Sequence, residues 1–137
     1  MANNQQLIIL ILSLRQMLYQ HLMIQNLDNF VLYRPKDIVS GDFFWHSDHN
    51  NTQFIAAADC TGHGVLGAMM SLIGYLLLND IVDDIVDLTP SEILDGLNEG
   101  VVRTLKQNKE GNSAADGMDV SLCRLDLQSM ELQYSGA

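Results

Sequence analysis

The sequence predicts a layered α+β fold, on three observations. Strand-like and helix-like segments arrive in blocks, which disfavours a chain of alternating βαβ units. Two apolar, periodic runs of helical length, from about Val65 to Ile85 and from Pro90 to about Gln107, lie between two groups of shorter extended segments. With 137 residues, 47% hydrophobic and 18% charged, the chain suffices for one domain with a core and has a folded protein's composition.

In chain order, residues 5–27 read as one helix, with Asn3 or Asn4 as its cap. Leu7, Leu10, Leu14, Met17 and Leu18 recur at helical spacing, which fits a short coiled coil or linker helix as well as packing on its own domain. The apolar run Leu7 to Leu12 is interrupted by Arg15, Gln16, Gln20 and His21, short of the roughly 20 residues of a membrane span. It also lacks a basic start and a cleavage site. Residues 29–34 predict a strand ended by Pro35, and 38–45 a second extended stretch. The polar run 47–51 reads as a hairpin loop. Residues 53–58 form a buried strand that leads into Asp59, and the glycines of Thr61-Gly62-His63-Gly64 then turn the chain into the first long helix. Gly67, Ala68, Ser71 and Gly74 would let that helix approach its neighbours closely.

Thr89-Pro90-Ser91-Glu92 is a helix start: Thr89 caps, Pro90 occupies the first helical position and Glu92 completes a capping box. Ile93, Leu97, Val101 and Leu105 mark its apolar face. After a polar loop over 109–117, residues 118–127 and 131–135 alternate as a hairpin joined around Gln128 and Ser129.

The charge balance is acidic, with 17 Asp plus Glu against 7 Lys plus Arg and a formal net charge of −10. Such a surface repels phosphate backbones, so nucleic acid is not an expected partner. The two cysteines, Cys60 and Cys123, lie far apart with no CxxC spacing. That predicts a reduced, cytoplasmic setting and no zinc site.

Two segments could carry chemistry. Ser40-Gly41-Asp42-Phe43-Phe44-Trp45 places a carboxylate beside a glycine, and Asp59-Cys60-Thr61-Gly62-His63-Gly64 places one at a strand end before a glycine turn. Glycine turns let backbone groups reach an ion or a phosphate. Two carboxylates brought together would make an oxygen-rich site for Mg²⁺ or Mn²⁺. Two turn aspartates bonding their own backbone fit the same pattern.

Residues 35–45, 59–65 and 67–71, with Asp116-Gly117-Met118-Asp119, occur in that order. Together they resemble the phosphatase domain of the stage II sporulation protein E type, a bacterial branch of the protein phosphatase 2C-like serine/threonine phosphatases. The likeness covers about 28–137, leaving 1–27 as an N-terminal helix or linker. Leu66 stands where relatives often carry proline, and leucine starts a helix as well.

The resemblance implies an αββα sandwich with a two-metal site, Mn²⁺ or Mg²⁺, at one end of its sheets. Asp42 and Asp59 would hold the metals, with the backbone carbonyl of Cys60 as a further ligand. A metal-activated water would hydrolyse phosphoserine or phosphothreonine on a regulatory protein in bacterial signalling. Family members continue past the strand that matches 134–137 and carry further metal-binding aspartates there. The expectation for this chain is therefore a C-terminally truncated sandwich with weak metal binding, little activity and exposed sheet edges that favour homo-oligomers. A non-catalytic, protein-binding or regulatory module that keeps the phosphatase fold is the alternative.

The remaining polar residues have plainer readings. His63 reads as a turn histidine before a general acid, and Asp119 as mainly structural, with Asp116 weaker still as a ligand. Asp80, Asp83, Asp84 and Asp87 read as a solvated helix face. Arg34 and Lys36 read as surface charges that could meet a substrate phosphate. Cys60 reads as a small buried residue before a nucleophile, and Phe43, Phe44 and Trp45 as core.

Overall fold

The computed structural model describes residues 29–34, 39–84, 87–105 and 116–137. The helix expected over 5–27 lies outside the described residues. Four strands, β1 (Phe43–His49), β2 (Thr52–Cys60), β3 (Met118–Asp126) and β4 (Glu131–Gly136), form one antiparallel sheet in the order β1-β2-β3-β4. Helices α1 (Gly64–Asp84) and α2 (Pro90–Leu105) follow β2, with α1 packed on β1 and β2, α2 on β3 and β4, and each on the other. The α+β layering predicted from the blocks of elements is what forms: an open sheet and a helical layer, the arrangement of half an αββα sandwich.

Period-two alternation builds the helix-facing side of the sheet. Phe43 and Trp45 on β1, Phe54, Ala56, Ala58 and Cys60 on β2, and Val120 and Leu122 on β3 are all buried. They form one cluster with Met70, Leu78 and Val82 of α1 and Ile93, Leu94, Leu97 and Val101 of α2. The Trp45 indole N–H in this core donates to Asn79 Oδ1 at 2.8 Å, which satisfies the ring's one donor. Phe44 departs from the expectation: strand parity turns it to the opposite, open face, where it is half-buried.

α1 is apolar and long enough to cross a membrane by length and composition alone, with a hydropathy of 1.8 over Gly64–Asp83. Its buried residues Met70, Leu78 and Val82 pack in the core described above. α2 starts as the capping box predicts. The Thr89 N–H donates to Glu92 Oε2 at 2.8 Å, and the Glu92 N–H points back at Thr89 Oγ1 at 3.4 Å. The Thr89 hydroxyl, which donates to Glu92 Oε2 at 2.7 Å, and then the Thr89 N–H hold the Glu92 carboxyl below its usual range.

Two strand boundaries differ from the expectation. Residues 29–34 form no strand; they lie across the open face of the sheet, where the Tyr33 hydroxyl donates to the Asp42 carbonyl at 2.8 Å. The contact is one-sided: Val31 and Tyr33 are half-buried, and Phe30 and Leu32 are exposed. β1 starts at Phe43 and runs on through Ser47, Asp48 and His49, so the five-residue polar loop shrinks to Asn50 and Asn51. Asn50 takes the left-handed conformation (φ 58°) that asparagine tolerates, and this lets so short a turn close. At the β3–β4 turn the Asp126 carboxylate accepts the Gln128 and Ser129 N–H groups at 2.8 and 2.9 Å.

Candidate functional site

The β1–β2 register brings the two aspartate motifs together. Phe43 pairs with Ala58, and the next position outward holds Asp42 on one side and Asp59 on the other. The Asp59 carboxyl is pushed above its ordinary range, first by a hydrogen bond shared with the Asp42 carboxyl, then by that group's charge. Two carboxyls side by side resist becoming doubly charged, so Asp59 gives up its proton at a higher pH than an isolated carboxyl would. Both side chains are exposed.

Glycines make the convergence possible. A Cβ on Gly41 would stand 2.9 Å from the Cys60 carbonyl oxygen and 3.1 Å from that of Gly62. The Cys60 carbonyl therefore abuts the residue preceding Asp42. Gly62 and Gly64 have φ of 94° and 63°, which turns the chain from the end of β2 into α1. The Cys60 thiol is buried and pushed up to about 12, chiefly by desolvation, which removes it as a nucleophile at neutral pH.

Asp119, read from sequence as mainly structural, pairs directly with Asp59 across β2 and β3 and is exposed on the same side. Thr61 fastens this neighbourhood: its hydroxyl donates to the Gly117 carbonyl at 2.8 Å and accepts the Gly117 N–H at 2.6 Å. Asp42, Asp59 and Asp119 line one cavity of about 690 Å³ between residues 31–34 and the open sheet face, and Arg34 shares its wall. No three His, Cys, Asp or Glu side chains among the described residues converge closely enough to hold a metal ion. Two acidic groups meet, and the third stands one strand away.

The other candidates fall elsewhere. His63 is exposed in the turn before α1. Asp80 and Asp83 are exposed, and Asp87 pairs with Arg124 at 2.8 Å on the helical side of the sheet. Lys36 lies outside the described residues.

The solved SiaA-PP2C domain of Pseudomonas aeruginosa matches all of this chain at a TM-score of 0.80 and 26% identity, covering 100% of this chain and 56% of that one. The chain has the protein phosphatase 2C-like fold. The RsbU and RsbW domains of a Mycobacterium tuberculosis protein match at a TM-score of 0.53 and 24% identity, over 72% of this chain and 25% of that one, and support the fold alone. No protein-family profile and no curated protein matches the chain. The chain thus spans about half the length of the SiaA domain. Within the phosphatase 2C-like fold, the aspartate pair lies at the sheet end where β2 hands over to α1.

Proposed function

We propose that the chain is part of a metal-dependent phosphatase domain of the stage II sporulation protein E type, covering about 28–137. The parent protein would hydrolyse phosphoserine or phosphothreonine on a regulatory protein of a bacterial cytoplasm. The observation that carries this reading is the meeting of Asp42 and Asp59, close enough for one carboxyl to raise the proton affinity of the other. The overall match to the SiaA-PP2C domain supports it.

The donor chemistry fits a hard divalent cation. Asp42, Asp59 and the Cys60 carbonyl would hold Mn²⁺ or Mg²⁺, which favour oxygen ligands. Such an ion would supply an activated water and offset charge on the phosphoryl oxygens. The chain's own residues perform the preparatory work. The β1–β2 register sets the carboxylates face to face, the Gly41 contact keeps the Cys60 carbonyl beside them, and Arg34 puts a cation on the same cavity wall.

The test is phosphate release from a phosphoserine peptide by the full-length parent, with and without Mn²⁺. Activity should require the ion and be lost in Asp42→Ala and Asp59→Ala; metal-independent release, or full activity in either variant, refutes the reading. The second reading, a non-catalytic protein-binding module, draws on the absence of a third converging ligand among the described residues. Tight two-site Mn²⁺ binding by this chain in titration calorimetry would contradict it.

A further inference from the structure

Ser71 stands one helical turn after Gly67 in α1 and is fully buried (0% exposed). Its hydroxyl lies 2.8 Å from the Ser40 carbonyl, 2.8 Å from the Gly41 carbonyl and 2.9 Å from the Gly67 carbonyl. The last contact is the ordinary back-bond of a helical serine. The first two are not local: they reach the two residues that precede Asp42. A hydroxyl has one proton, so the three carbonyls share a single donor, and removing it would take a buried hydrogen bond from the Gly41 carbonyl. Gly41, whose carbonyl Ser71 bonds, abuts Cys60, the residue after Asp59: a Cβ on Gly41 would stand 2.9 Å from the Cys60 carbonyl oxygen. One buried side chain thus bonds the two residues that lead into Asp42, and the second of them packs against the residue after Asp59.

The backbone around it allows no slack. The Gly67 Cα lies so near the Ser40–Asp42 segment that a Cβ there would stand 3.0 Å from the Gly41 Cα and 2.8 Å from the Gly62 carbonyl oxygen. Within the segment, the Asp42 N–H bonds to Ser40 Oγ at 3.0 Å, and the Tyr33 hydroxyl caps the Asp42 carbonyl. Those bonds fix the local shape of the segment. Among the described residues, it is the Ser71 hydroxyl that bonds the segment to α1.

We propose that Ser71 is a positioning residue for the aspartate pair: its buried hydroxyl ties the Ser40–Asp42 segment to α1 beside Cys60 and so sets where Asp42 stands relative to Asp59. This rests on the reading of Asp42 and Asp59 as partners around a divalent cation. Groups that orient metal ligands from behind are worth roughly 10- to 100-fold in metal affinity.

The test compares the 137-residue chain with Ser71→Ala, Ser71→Thr and Ile93→Val, the last a core change in α2 away from the segment. Mn²⁺ affinity is read by electron paramagnetic resonance, and backbone mobility by amide exchange at residues 40–43. Ser71→Ala should weaken Mn²⁺ binding by about tenfold or more and speed exchange at 40–43. Ser71→Thr, which keeps the hydroxyl, should recover much of both, and Ile93→Val should change neither beyond its effect on global stability. Equal effects from Ser71→Ala and Ile93→Val, or unchanged exchange at 40–43 in Ser71→Ala, overturn the proposal. If the unmutated chain binds no Mn²⁺, the metal reading fails by itself, and the exchange comparison still decides whether Ser71 holds the segment.

Discussion

Replacing Gly67 by alanine puts a methyl group where the fold has two backbone segments. The new Cβ would sit 2.8 Å from the Gly62 carbonyl oxygen, 3.0 Å from the Gly41 Cα and 3.1 Å from the Gly41 nitrogen. These are backbone atoms of both aspartate loops, so relief requires moving a loop rather than turning a side chain. Overpacking of this kind costs about 1–3 kcal/mol. Alanine's better helix propensity returns about 1 kcal/mol, which leaves a net loss of up to about 2 kcal/mol. Gly96 in α2 is the matched control, because its Cβ would meet only Ile81 side-chain atoms, the nearest at 3.4 Å, an ordinary contact. Gly96→Ala should therefore gain about 0.5–1 kcal/mol from propensity alone. In a chain of 137 residues each kcal/mol moves the thermal midpoint by roughly 3–4 °C. The two variants should thus shift the midpoint in opposite directions when unfolding is followed by circular dichroism without divalent ions. Stabilisation by both would refute the close approach of α1 to the aspartate loops.

Three further outcomes are expected. Asn79→Ala removes the only bond given to the Trp45 indole N–H, in a ring that is 1% exposed; it should cost about 1–3 kcal/mol in urea unfolding, read by the fluorescence of this single tryptophan. Thr89→Ala dismantles the α2 capping box and should cost about 1 kcal/mol, with an unchanged midpoint counting against the cap. The metal-free chain should lose stability as pH rises from the ordinary carboxylate range through the raised Asp59 pKa, because there the folded state holds a proton that the unfolded state has released; Asp42→Asn should flatten that decline, and equal slopes in the two proteins would contradict the effect of Asp42 on Asp59.

Much of this was legible because it is local. The capping box needs only Thr89 and Glu92 three residues apart, and the glycines after Asp59 announce a turn whatever lies around it. The β3–β4 hairpin shows in its own alternation. What failed depended on neighbours. Residues 29–34 read as a strand from the apolar run Phe30 to Tyr33 before Pro35, but such a run can also lie against a sheet face without pairing to it, and here Phe30 and Leu32 stay exposed. Phe44 reads as core beside Phe43 and Trp45 until strand parity sends it to the other face. Asp119 gives no local sign that it will stand beside Asp59, since their pairing spans the whole helical layer. Ser71 reads as one small residue among several, because the carbonyls it serves lie some thirty positions earlier in the chain.

The aspartate pair itself is a product of register, and register was the hardest thing to read. A polar run of five residues leaves the β1–β2 pairing open, and a slip of one residue would send one strand's side chains to the opposite face. Closing the turn on Asn50 and Asn51 pairs His49 with Thr52, and from there every step is forced up to Phe43 and Ala58. One step further stand Asp42 and Asp59. The turn at the far end of the hairpin therefore determines which residues face each other at the candidate site. The clamp at the near end, Gly41 against the Cys60 carbonyl and Ser71 bonded to the Gly41 carbonyl, then has only to hold that juxtaposition. Lengthening the turn by one residue should accordingly disturb the Asp42–Asp59 pairing from the opposite end of the hairpin, with every residue of the clamp unchanged.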